Sequence, residues 1–121
     1  MFALSAHQKF HLYRHATDMR KGFNGLSGLV RNQLGKDPLD GSAYLFLNRR
    51  GDRIKILVWE SGGFTLYYKL LEKGTFQRPV LSQNQASSCI TWQQLMLIVQ
   101  GIELQSVKHR KRYQYLHSAA I

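Results

Sequence analysis

Ala43-Tyr44-Leu45-Phe46-Leu47, Asn48-Arg49-Arg50-Gly51-Asp52 and Arg53-Ile54-Lys55-Ile56-Leu57-Val58-Trp59 follow one another without a break. Two runs rich in aromatic and branched residues, which suit a pleated and half-buried surface, flank a polar stretch. Gly51 can take the positive φ that a tight reversal requires, so the segment reads as a β-hairpin. Glu60-Ser61-Gly62-Gly63 makes the next turn, and Phe64-Thr65-Leu66-Tyr67-Tyr68-Lys69 is the third strand of a meander. Thr75-Phe76-Gln77, after Gly74, offers a short fourth.

Upstream, Phe10-His11-Leu12-Tyr13 reads as a short strand, and then the period changes. Met19, Phe23, Leu26 and Val30 recur at helical spacing, with Leu34 close to that face. Thr17 or Asp18 suits the N-cap, and Gly35 with Asp37-Pro38 supplies the stop, which predicts a helix over residues 18–34. Gly22, Gly25 and Gly28 lie inside it, each costing about 1 kcal/mol relative to alanine. Either a backbone comes close along that flank, or the helix is weak and held by packing. Downstream, residues 80–90 are polar and read as a linker. Thr91-Trp92-Gln93-Gln94 has capping-box spacing, and Leu95, Ile98, Val99 and Ile102 form the apolar face of a second helix.

The expected architecture is a single α+β domain. Residues 1–79 form the core, an antiparallel β-meander of three to four strands with a helix packed on one face. A linker (80–90), a C-terminal helix (91–104) and a basic tail (105–121), a candidate for disorder, complete it. At 121 residues and 44% hydrophobic composition the chain can bury a core without disulfides or metal. The one cysteine, Cys89, fits a reducing compartment. No apolar run approaches the about 20 residues that span a bilayer, and the first ten residues lack the features of a signal peptide. A soluble cytoplasmic protein is expected.

Seventeen Lys and Arg against seven Asp and Glu give a net charge of +10, shared equally between residues 1–60 and 61–121. A field of that sign attracts polyanions, nucleic acid foremost. The hairpin is the candidate contact. Arg49 and Arg50 sit at its tip, and strand alternation places Arg53 and Lys55 on one face, with Ile54, Ile56 and Val58 facing the helix. Tyr67 and Lys69 on the third strand are expected to join Arg53 and Lys55. Cations would then pair with phosphates and the ring would stack on a base; an ordinary solvated sheet face has the same pattern. Arg20, Asn24, Ser27 and Arg31 form a polar stripe on the first helix, and Lys108 to Arg112 a basic cluster in the tail.

Little supports catalysis. The seven carboxylates sit mostly at caps and turns, and no phosphate-binding loop, nucleophile elbow or HExxH motif occurs. His7, His11 and His15 are four apart, but a strand would spread them, and no cysteine or carboxylate joins them at a spacing that completes a zinc site. No cofactor, metal or small-molecule substrate is expected.

Thr17-Asp18-Met19-Arg20-Lys21-Gly22-Phe23-Asn24-Gly25-Leu26, Asp37-Pro38, and Asn48 through Lys55 form an ordered series of motifs. Trp59, Gly63-Phe64, Tyr68-Lys69-Leu70-Leu71-Glu72-Lys73-Gly74, Gln94-Leu95 and Gly101-Ile102-Glu103 continue it. The series, from about Phe10 to Leu104, resembles the TnpB-type accessory proteins encoded beside the transposase in bacterial insertion sequences of the IS-sixty-six group, a family distinct from the RNA-guided nuclease that shares the name. The resemblance implies a part in DNA transposition beside a transposase that supplies the strand-transfer chemistry, and it brings no catalytic residues. It implies as partners DNA, with the element ends as candidates, the transposase and the element's other accessory protein. Its matching basic positions are Arg20, Lys21, Arg49, Arg50, Arg53, Lys55 and Lys69. The chain departs from the family at Ala16, where a proline is common, at Arg78, where a tryptophan is common, and after Leu104. Two functions compete: an accessory protein that binds DNA through the hairpin and sheet face, and a subunit that docks on the transposase or the other accessory protein.

Overall fold

The structure is a computed structural model that describes residues 4–5, 7–77 and 85–100. Its elements are β1 (Phe10–Tyr13), α1 (Phe23–Asn32), β2 (Ala43–Leu47), β3 (Arg53–Glu60), β4 (Gly63–Leu70), β5 (Ser87–Ile90) and α2 (Trp92–Gln100). The strands form one mixed sheet in the order β4-β3-β2-β1-β5.

The fold is α+β, and the antiparallel meander is present in β2, β3 and β4. The rest of the sheet departs from expectation. β1 lies parallel to β2, with Phe10 opposite Ala43, and α1 is the crossover that parallel pairing requires. β5 runs antiparallel to β1, with Phe10 opposite Ile90. It falls inside the stretch expected to be a linker, because Ser87, Ser88 and Cys89 carry no apolar signal and pairing with β1 makes them a strand. Residues 75–77 are not a strand. The Phe76 N–H donates to the Gly51 carbonyl at 2.7 Å and the Leu71 N–H to the Asp52 carbonyl at 2.8 Å, so this segment folds against the β2–β3 turn. Residues 80–84 of the expected linker, residues 101–104 of the expected C-terminal helix and the basic tail lie outside the described residues.

The first helix starts five residues later than its apolar spacing predicts. The Asp18 carboxylate accepts from the Arg20 backbone N–H at 2.9 Å, closing a local turn that takes the place of a helical cap. α1 begins only after Gly22, which makes no side-chain cap. Gly35, at φ +66°, supports the reversal after its last turn. No backbone approaches the three glycines. A Cβ at Gly22 or Gly28 would meet nothing within 4 Å, and one at Gly25 would first meet the Lys21 side chain, at 3.1 Å. The helix is instead held by packing.

Two cores sandwich the sheet. Leu26 and Val30 of α1 pack with Tyr13, Tyr44, Phe46 and Leu57 on one face. Ile54, Ile56 and Val58, expected to meet the first helix, lie on the opposite face with Leu12, Leu45, Leu95 and Ile98, where α2 covers them. The predicted capping box forms: the Gln94 N–H donates to Thr91 Oγ1 at 3.0 Å, and the Thr91 N–H to Gln94 Oε1 at 2.9 Å.

His11 is 7% exposed and stacks on Tyr44 with ring centroids 5.2 Å apart. Burial, helped by the charge of Lys36, lowers its pKa from the usual 6.5. The unfolded chain therefore takes up this proton first as pH falls, so the contribution to stability is full above about 6.5 and is lost below it. Urea midpoints are expected to be lower at pH 5.5 than at pH 7.5, with a smaller difference in His11→Phe. A His11→Phe difference as large as that of the wild type refutes the assignment.

Candidate nucleic-acid interface

The turn between β2 and β3 is held at its base and on its flank. Asn48 Nδ2 donates to Asp52 Oδ1 at 2.7 Å, and Asn48 Oδ1 accepts from the Arg53 N–H at 3.0 Å. Gly51 sits at φ +78°, where an added Cβ would lie 3.5 Å from Thr75 Cβ. The backbone bonds from Leu71 and Phe76 brace the other side. Arg49 and Arg50, at the tip, are exposed and have no hydrogen bond or ion pair among the described residues. Two guanidiniums thus project from a backbone whose conformation is already fixed.

Beside the tip lies a cleft of about 400 Å3, lined by Thr17, Asp18, Met19, Asn48, Arg49, Arg50, Asp52 and Arg53. Two motifs far apart in sequence, residues 17–26 and 48–55, meet here. The Thr17 N–H donates to the Leu47 carbonyl at 2.8 Å, and Lys55 completes the attachment. Its ammonium donates to the carbonyls of Met19 and Lys21, both at 2.8 Å. Arg20 grips Asp18: its Nη2 lies 2.7 Å from Oδ2, and its Nε donates to both carboxylate oxygens at 3.1 Å. These side-chain hydrogen bonds hold the Asp18 carboxyl down to about 2. Asp18 is therefore ionised at neutral pH and its charge is matched by Arg20.

The expected cationic sheet face does not form. In the β3–β4 register Arg53 lies opposite Leu70, Lys55 opposite Tyr68, Ile56 opposite Tyr67 and Ile54 opposite Lys69. Arg53 and Lys55 therefore share a face with Tyr68, whereas Tyr67 and Lys69 are on the α2 side. Tyr67 packs against the core there, and Lys69 Nζ lies 3.4 Å from the Val99 carbonyl. Lys55 is 6% exposed and turned inward. Arg31 is exposed in the last turn of α1 and does not line the cleft. Lys21 is exposed and does not line the cleft either.

Parity explains the difference. The β3–β4 turn is the two-residue Ser61-Gly62, at φ 52° and 80°, which places Glu60 opposite Gly63. Every odd residue of β3 then faces an even residue of β4. Sequence reasoning consequently missed Tyr68, whose hydroxyl accepts from Arg53 Nη1 at 2.9 Å. A two-residue turn with a glycine in second place was the available signal.

Among the described residues no group of three His, Cys, Asp or Glu side chains is placed to share a metal ion. Nor is any described helix long and apolar enough to cross a membrane.

Comparison with known proteins gives a family match over residues 8–109, to the model described as IS66 Orf2 like protein. Two uncharacterized proteins of Sinorhizobium fredii are similar. One, y4jC, is 32% identical over 93 residues, covering 77% of this chain and 78% of the relative. The other, y4hO, is 36% identical over 88 residues, covering 72% and 74%. No solved structure matches the chain.

Proposed function

The chain belongs to the IS66 Orf2-like family, and from that premise we propose that it is a non-enzymatic accessory protein for transposition of an insertion sequence that binds DNA through its β2–β3 turn. The observation that carries this reading is the pair of exposed arginines on a braced tip, beside a cleft that joins the two motifs. Arg49, Arg50 and Arg53 supply charge to phosphates. Lys55 and the Asp18–Arg20 pair hold the neighbouring loop in place.

Anisotropy titration of the protein with labelled DNA tests it. Three neutralised phosphates, at about 0.7–0.9 counterions each, imply about 20- to 40-fold weaker binding at 200 mM than at 50 mM salt. Absence of binding at 50 mM overturns the reading.

A second reading, docking on the transposase or the other accessory protein, draws support from exposed Phe23 and Leu70. Co-purification with either protein after nuclease treatment is the result that would favour it.

A further inference from the structure

Tyr68 is 47% exposed, yet its surroundings fix how it is presented. One ring face is occupied by the Lys55 ammonium, 4.6 Å from the centroid. That ammonium is itself tied to the Met19 and Lys21 carbonyls. The hydroxyl is held by Arg53, which lines the cleft with Arg49 and Arg50. The exposed area is therefore the remaining ring face and edge, already oriented and bordered by a guanidinium. Little ordering cost remains for a planar group that stacks there.

The same neighbourhood disfavours a duplex. A bare two-stranded ribbon fits the major groove, but this tip carries residues 71–76 hydrogen-bonded along its side. Duplex bases are also stacked on one another, so a duplex offers this site phosphates and no free base face. A single strand offers both, and a cationic track beside an aromatic platform is what binds it without sequence preference.

We propose that single-stranded DNA lies across the cleft and the Tyr68 ring beyond Arg53, with an unpaired base stacked on Tyr68 and the adjoining phosphates paired with Arg53, Arg49 and Arg50. This rests on the reading that the β2–β3 turn binds DNA. The test is anisotropy at about 100 mM salt with one labelled oligonucleotide, alone and annealed to its complement, against the wild type, Tyr68→Ala and Tyr68→Phe. The single strand should bind about tenfold tighter than the duplex. Tyr68→Ala should weaken single-strand binding about tenfold and change duplex binding less than twofold, while Tyr68→Phe keeps most of the single-strand affinity. Equal wild-type affinity for both forms, or an equal loss for both in Tyr68→Ala, overturns the single-strand assignment and leaves DNA binding standing. Binding to neither form overturns both.

Discussion

Replacing Arg49 and Arg50 together with alanine should weaken DNA binding by about 25- to 60-fold at about 100 mM salt and flatten the salt dependence. Each phosphate contact contributes about 0.7–0.9 log units at that concentration, and two contacts are removed. The slope of log affinity against log salt should fall by roughly 1.4–1.8. Both side chains are exposed and make no hydrogen bond or ion pair among the described residues. Their loss should therefore change folding stability by less than about 0.5 kcal/mol, a check that separates lost contact from lost structure. The double lysine variant keeps the charge and should retain most of the slope. An affinity unchanged in the alanine variant would mean that the tip is not where DNA is held.

Lys55→Met should lower stability by about 2–3 kcal/mol, read from urea denaturation. Hydrogen bonds from a charged donor contribute about 1.5–3 kcal/mol, and the contact with the Tyr68 ring adds about 0.5–1. Relief of the ammonium's desolvation offsets part of that sum. Methionine fills a similar volume, so the loss reports the bonds and not a cavity. The loop at residues 17–21 would no longer be tied to the sheet, and DNA affinity should fall as well, although Lys55 touches no DNA in the proposed arrangement. A stability change below about 0.5 kcal/mol would mean that desolvation cancels the bonds.

How legible the molecule was depended on the range of the interaction. The β2–β3 hairpin and the Thr91–Gln94 capping box are set by residues close in sequence, and both appear where expected. β5 escaped notice because Ser87-Ser88-Cys89 becomes a strand only through β1, far away in the chain. The late start of α1 turned on competition between a helical cap and the Asp18–Arg20 turn, which apolar spacing does not register. Lys55 looked like a surface cation because lysine usually is one. Its inward course depends on two carbonyls supplied by a distant loop. Arg49 and Arg50 stand exposed at the turn, as the hairpin pattern suggested, whereas the ring that shares a face with Arg53 is Tyr68 and not Tyr67. A single step along a strand exchanges the faces of a sheet.

The placement of β1 between β2 and β5 also constrains how the molecule is made. Phe10 leaves the ribosome early, but one of its flanks waits for Ala43 and the other for Ile90. Such distant pairings carry a loop-closure cost and slow folding. During translation the nascent meander can assemble first, with the strand at residues 10–13 unsealed along one side until residues 87–90 have emerged.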